Sequence, residues 1–353
     1  MKKESTIKQH YLWGDITKGI AIILVIAGHS YFPKNISNFI YLFHMPIFFL
    51  LAGYFFNFSK YCNNLTLLVK SSAKRLLLPA FIWKFFFFNV TNRNFLNNLL
   101  IILYGSGCNV LNFKISIGAA WFLPCLFLVR ILLWIFLKLV KIFKTNDIIN
   151  CIIAFFITLT GIYIGKYIKL PWSLDISLVA LYIAYIGYLL NKYAYYKKKF
   201  LSAIIIIITS ICTYFDYKYF GLDLNDRIYT NPIISINTAI GLSILVIEIS
   251  MLLEKVQITY LNLFLKYLGV NSIIILLSHH IAYSDKLNLV MTLLKNMLNI
   301  MPTNPYLYGI FITIWRLIVC ILIIEIFTLI PAIKKIFSAV SIISIIQEYR
   351  NNK

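Results

Sequence analysis

Long runs of apolar residues, each ended by a short polar or basic stretch, repeat along almost the whole chain. A helix needs about 20 mostly apolar residues to cross about 30 Å of hydrocarbon. Runs of that kind fall at 16–32, 39–57, 75–90, 117–139, 148–165, 174–190, 200–217, 232–253, 267–284 and 307–330. A shorter run at 98–104 reads as an interfacial helix. The pattern predicts an all-α protein, a polytopic integral membrane helical bundle of about ten transmembrane helices. One membrane domain covers residues 1–333, and a short basic tail follows at 334–353. No internal repeat and no soluble appendage interrupts it. The first run follows Lys2, Lys3 and Lys8, as in a signal peptide, but it contains Asp15, Lys18 and His29 and lacks a small-residue cleavage site. It is expected to be a retained span.

Composition agrees with that reading. The 353 residues are 61% hydrophobic and 13% charged, and their mean hydropathy is +0.83. Soluble domains carry about 25% charge, so a water-soluble globule is excluded. The formal net charge of +21 would suggest nucleic acid in a soluble chain. Here the basic residues lie between apolar runs, which points to a membrane surface and not to a nucleic acid. Their placement also orients the bundle. With both termini in the cytoplasm, twenty of the 33 Lys and Arg lie on the cytoplasmic side, nine lie outside and four, Lys18, Lys84, Arg130 and Arg316, lie within spans. Lys and Arg gather in cytoplasmic loops, so both termini are expected there. The six cysteines have neither CxxC nor metal-ligand spacing and are assigned no chemistry.

Each ionisable side chain within a span costs about 2.5–3.5 kcal/mol on insertion scales and therefore calls for a partner, a wet cavity or a function. The first span reads Asp15-Ile-Thr-Lys18 through to Gly28-His29-Ser30, with Asp15, Lys18 and His29 on one helix face. At about 1.5 Å per residue Asp15 is about 21 Å from His29, so the carboxylate belongs to the cytoplasmic end with Lys18 and cannot orient the imidazole. The same arithmetic places His29, His44, His279, His280 and Arg316, from four spans, in one layer of the outer half of the membrane. Polar groups converging at one depth predict a buried cavity opening outward. A lone His near a helix end is more often structural; His29 is the exception, between small Gly28 and Ser30 on the face that carries the ion pair. The histidines lack carboxylates or thiolates at their depth, and no metal site is expected. Glu248 and Glu325 are expected to pair with Lys18 or with each other. Lys70, Lys74 and Arg75 stand before Pro79 at the cytoplasmic end of the third span. With Lys18 they suit an anionic group such as a phosphate, although positive-inside anchoring is the better explanation of Lys70 and Lys74 and an equally good one of Arg75. Trp121-Phe122-Leu123-Pro124 opens the fourth span near the outer interface, where an aromatic belt is expected.

Several of these segments together resemble the membrane-bound acyltransferase family 3, particularly its branch similar to fucose 4-O-acetylases. They are Asp15 to Lys18-Gly19 and Gly28-His29-Ser30; Phe43-His44-Met45-Pro46 to Gly53-Tyr54; Lys74-Arg75 to Pro79; Trp121-Phe122-Leu123; and Leu268-Gly269-Val-Asn271-Ser272 leading to His279. The resemblance implies transfer of an acyl group, usually acetyl from cytosolic acetyl-CoA, to a hydroxyl of a cell-envelope, capsular or exopolysaccharide sugar, lipid-linked or not, by a multi-pass protein of the bacterial cytoplasmic membrane. It implies that His29 is the essential histidine, with Lys18 and Arg75 toward the donor. Two positions depart from the family pattern: Ala52 replaces a usual Ser, and Lys18 stands where many relatives carry Arg.

Acyl transfer from a thioester to an alcohol needs a base for the hydroxyl proton and donors for the oxyanion. His29 suits the base, and an acyl-imidazole intermediate is equally open. The nucleotide would bind at Lys18 and Arg75, with the acceptor among His44, Trp121, His279 and Arg316. A transporter or flippase for lipid-linked sugars is the competing reading, and it would lead one to expect paired broken spans or a repeat. A glycan polymerase would call for one long outer loop.

Overall fold

The structure is a computed structural model describing residues 11–90, 95–107, 117–195, 207–215, 221–280 and 304–351, with 87–90 described by backbone alone. It is a helical bundle. The helices are α1 (Leu12–Gly28), α2 (Lys34–Tyr41), α3 (Pro46–Tyr54), α4 (Leu65–Ser72), α5 (Leu78–Val90), α6 (Phe95–Tyr104), α7 (Phe122–Phe143), α8 (Asp147–Tyr167) and α9 (Leu174–Lys192). After them come α10 (Pro232–Val256), α11 (Thr259–Val270), α12 (Ser272–Ser278), α13 (Pro305–Leu329), α14 (Pro331–Phe337) and α15 (Ile342–Asn351). A two-stranded hairpin, β1 (Leu222–Asp223) and β2 (Ile228–Tyr229), precedes α10.

Asparagines set several helix starts. The side chains of Asn64, Asn146, Asn231 and Asn304 each accept a backbone N–H from the first turn, satisfying donors that a helix leaves unpaired. Pro46, Pro232, Pro305 and Pro331 occupy first-turn positions, where the missing N–H costs nothing.

Among the described residues six helical segments are long and apolar enough to cross a membrane, or seven if the bent pair α11–α12 is one span. Apart from the short hairpin the described structure is helical, and it is membrane-spanning in character, as the apolar runs predict. The expected 200–217 span lies partly outside the described residues; only 207–215 is seen, as helix. Three expected spans differ in detail. The first ends at Gly28, so His29 lies on the turn beyond it. The second is two helices, α2 and α3, meeting at Pro46. The ninth is kinked by 65° between α11 and α12. Asn271 at that kink has its side-chain amide paired both ways with the backbone of Val340, at 2.9 and 3.0 Å.

Small residues let backbones touch where lipid gives helices little reason to associate. A Cβ on Gly19 would strike the carbonyl of Leu265, and one on Gly269 the carbonyl of Asp15, so α1 and α11 cross in direct contact. Gly53 and Gly187 do the same for α3 and α9. Helix α13 buries only the stripe Gly309, Ile312, Arg316, Cys320 and Ile324. That spacing turns one face inward, leaves the rest of a mostly apolar helix half-buried or exposed, and directs Arg316 at α1.

Among the described residues, neither Glu248 nor Glu325 meets Lys18 or the other. Glu248 accepts from the Tyr195 hydroxyl, and Glu325 accepts from Tyr267 Oη at 2.7 Å and from the Ile342 N–H at 3.1 Å. Lys18 pairs with Asp15 one helical turn away. The tail folds back on α11, where Lys266 meets Glu348 at 2.9 Å.

Candidate active site

Two cavities follow one another along α1. The first, about 520 Å³, is lined by Asp15 and Lys18 from the start of α1, by Ser71, Ser72 and Arg75, by Arg130 of α7, and by an apolar wall that includes Phe48, Phe122 and Leu276. A π-helical turn, Ala73–Leu77, joins α4 to α5 and carries Arg75. Such turns shift side chains out of the regular helical register and recur at functional sites. Arg130 donates from Nε to Ser72 Oγ at 3.0 Å, its guanidinium lies 5.7 Å from the Phe56 ring, and it is within electrostatic reach of Arg75. Three cations thus face a chamber whose described lining contains a single carboxylate, that of Asp15, already bound to Lys18. The chamber has the charge for phosphate and the apolar wall for an acyl chain.

The second cavity, about 190 Å³, is built at the far end of α1 from His29, Tyr41, His44, Trp121 and His280, with Asp223, Asn225 and Asp226 of the hairpin turn at its edge. Tyr41 Oη lies 3.3 Å from His29 Nδ1. His44 is fixed by its Nδ1 on the Ile40 carbonyl at 2.9 Å. Trp121 is 5% exposed; it is a cavity wall and not the interfacial belt residue its sequence position suggests. The hairpin is held by a buried ion pair in which Arg227 donates from Nε to Asp175 Oδ2 at 2.9 Å and from Nη2 to Oδ1 at 3.3 Å, with side chains 3% and 1% exposed.

Behind His29 lie His279 and Arg316, both buried. His279 places Nδ1 2.9 Å from the Leu276 carbonyl, so the proton belongs on that nitrogen and the lone pair on Nε2. Nε2 is buried with no hydrogen-bond partner among the described residues. Arg316 donates from Nη1 to the His29 carbonyl and lies 3.3 Å from Ser30 Oγ, supplying a partner for a carbonyl at the end of α1, where helical partners run out. The sequence layer is therefore assembled, but unevenly. His29, His44 and Trp121 line the second cavity, whereas His279 and Arg316 support it from behind.

His29, His279 and His280 bring one ring nitrogen each within 4.8 Å of one another, the donor set of a three-histidine metal site. Lys84 and Arg316 lie within electrostatic reach of His280. Two neighbouring cations oppose a divalent ion, and the group fits a cluster of neutral imidazoles better.

Sequence reasoning passed over Arg130, Tyr41, Leu276 and the hairpin acids. Arg130 carried a signal, being one of four cations within spans. Asp223, Asn225 and Asp226 carried none, since their loop has no periodicity to place it against α1.

No curated protein and no solved structure matches the chain. A family profile described as an acyltransferase domain matches residues 11–325, which spans both cavities and every residue lining them. The chain belongs to acyltransferase family 3 and is a multi-pass membrane acyltransferase.

Proposed function

We propose that the protein is an O-acetyltransferase that takes acetyl from cytosolic acetyl-CoA and places it on a hydroxyl of a cell-envelope sugar, with His29 as general base. One observation carries the reading: a cationic chamber and an imidazole-lined chamber succeed each other along α1, and Leu276 lines both. The nucleotide phosphates bind at Lys18, Arg75 and Arg130. Eleven residues separate Lys18 from His29, or about 16 Å of helix rise, a distance that an extended pantetheine arm covers. The thioester then reaches the Leu276 partition while the nucleotide stays in the first chamber.

On the acceptor side His29 holds the position of the base. With its Nδ1 proton donated to Tyr41 Oη, Nε2 carries the lone pair. It takes the hydroxyl proton as the sugar oxygen attacks the thioester carbonyl. The carbon–sulfur bond breaks, the new ester carbon–oxygen bond remains, and the departing thiolate receives the proton from the imidazolium. Tyr41, His279 and Arg316 fix His29 in place.

The test is transfer of label from radiolabelled acetyl-CoA to envelope glycan by isolated membranes. Wild-type membranes should label carbohydrate in an alkali-labile ester, and His29→Ala, inserted at equal abundance, should not. Equal labelling by the variant would remove His29 from the chemistry, and no labelling by wild type would overturn the reading. A flippase would move glycan without moving label.

A further inference from the structure

The second cavity carries information about its occupant. Its described lining contains no Lys or Arg, while Asp223 and Asp226 both face it. Arg227, next to them, is spent on Asp175 and on the Asn225 carbonyl, which accepts from Nη1 at 2.6 Å. The other cations nearby, Arg316 and Lys84, are within electrostatic reach of His280 but are not among the lining residues; Lys84 Nζ stands behind Gly118, 3.9 Å from where its Cβ would be. Aspartate oxygens only accept hydrogen bonds, asparagine does both, and the indole of Trp121 offers a flat apolar face. This is the lining for a ring with hydroxyls around its rim and C–H bonds on its face. Trp121 and Asn225 press on the same residue: a Cβ on Gly107 would collide with Asn225 Oδ1 and with the indole. The two recognition surfaces are thus held side by side. At the floor, the buried Nε2 of His279 faces the group formed with His29 and His280. The volume, about 190 Å³, has room for a sugar ring.

We propose that this cavity selects a single uncharged or amino-bearing sugar ring and rejects uronic and other acid-bearing sugars through Asp223 and Asp226. The inference rests on the acyl-transfer reading above and adds the class of acceptor. A sugar carboxylate in the cavity would meet two like charges with no cation lining the wall among the described residues, and like-charge juxtaposition is a strong device against wrong partners.

Membranes bearing the full chain are given radiolabelled acetyl-CoA with methyl glycosides in matched pairs: gluco, galacto and manno hexosides, their amino and N-acetylamino forms, and the uronides of the same configurations. The expected result is label on at least one neutral or amino glycoside and roughly tenfold less or lower on its uronide. Asp223→Asn combined with Asp226→Asn should bring the uronide within a few-fold of its neutral partner. Asn at 223 keeps the oxygen that accepts the Asp226 N–H at 3.1 Å, so the turn is preserved. The neutral-to-uronide ratio is independent of how much protein inserts. Comparable labelling of uronide and neutral partner by wild type, or an unchanged ratio in the double variant, would overturn the proposal and leave acyl transfer standing. Label on no glycoside and no glycan would overturn both.

Discussion

Replacing Asp175 with Asn tests whether the hairpin clasp shapes the acceptor cavity. Arg227 and Asp175 are bound bidentately and almost fully buried. At 2.9 Å and an effective dielectric of about 20, their attraction is about 6 kcal/mol before desolvation is charged against it. Removing one member of such a pair typically costs about 3–5 kcal/mol, because the remaining charge is buried and uncompensated. Asn retains an oxygen for the Leu170 N–H that Asp175 accepts at 3.2 Å, so the start of α9 should hold. The cost should fall on the hairpin, and about 3 kcal/mol is a factor of more than a hundred in its opening equilibrium. Hydrogen exchange followed by mass spectrometry should show amides of 221–230 losing protection by at least tenfold while α1 and α11 are unchanged. The acceptor KM should rise, with acetyl-CoA binding unaltered. Asp175→Asn combined with Arg227→Gln leaves a neutral hydrogen-bonded pair and should recover most of the protection. If the single variant exchanged like wild type, the clasp would not be what holds the cavity edge, and this reasoning would fail.

Other outcomes follow from the same geometry. Arg130→Gln and Arg75→Gln should each raise the acetyl-CoA KM about tenfold, as loss of one phosphate contact implies, with little change in acceptor KM; steady-state kinetics checks this. Leu276→Trp should plug the passage between the chambers and lower kcat at least a hundredfold, while acetyl-CoA binding measured by equilibrium dialysis persists. Burial, and to a lesser degree the Asp226 charge, push the Asp223 carboxyl up to about 6, against opposing backbone hydrogen bonds and Arg227. The raised value means that Asp223 is neutral below about pH 6 and charged above it. Discrimination against uronides should therefore strengthen as pH rises through about 6, and Asp223→Asn should flatten that limb.

Much of the bundle could be read from hydrophobic run length, because lipid forces every span to satisfy its backbone internally. The breaks could not. Straight-helix arithmetic carries no term for Asn271, whose side chain pairs with Val340 some seventy residues away. Depth counting brought His29, His44 and His280 to one level, and they do share a cavity. It gives height but not azimuth, so it could not tell that Arg316 meets the backbone of His29 rather than the cavity. Glu248 and Glu325 were matched by charge, yet their partners are the hydroxyls of Tyr195 and Tyr267, which have no charge to search for. Asp223 and its neighbours sit on a turn that Arg227 ties to α9, a contact between segments some fifty residues apart that hydrophobic periodicity does not announce.

The partition at Leu276 has an electrical consequence. On the proposed reaction the acceptor gives up a proton and gains an acyl group, while coenzyme A gives up the acyl group and gains the proton. Neither reactant changes its net charge, so no charge crosses the partition in a turnover. A potential of 100 mV, worth about 2.3 kcal/mol to each elementary charge moved, contributes nothing to the transfer. De-energising the membrane should leave acetylation unchanged as long as the acetyl-CoA supply holds.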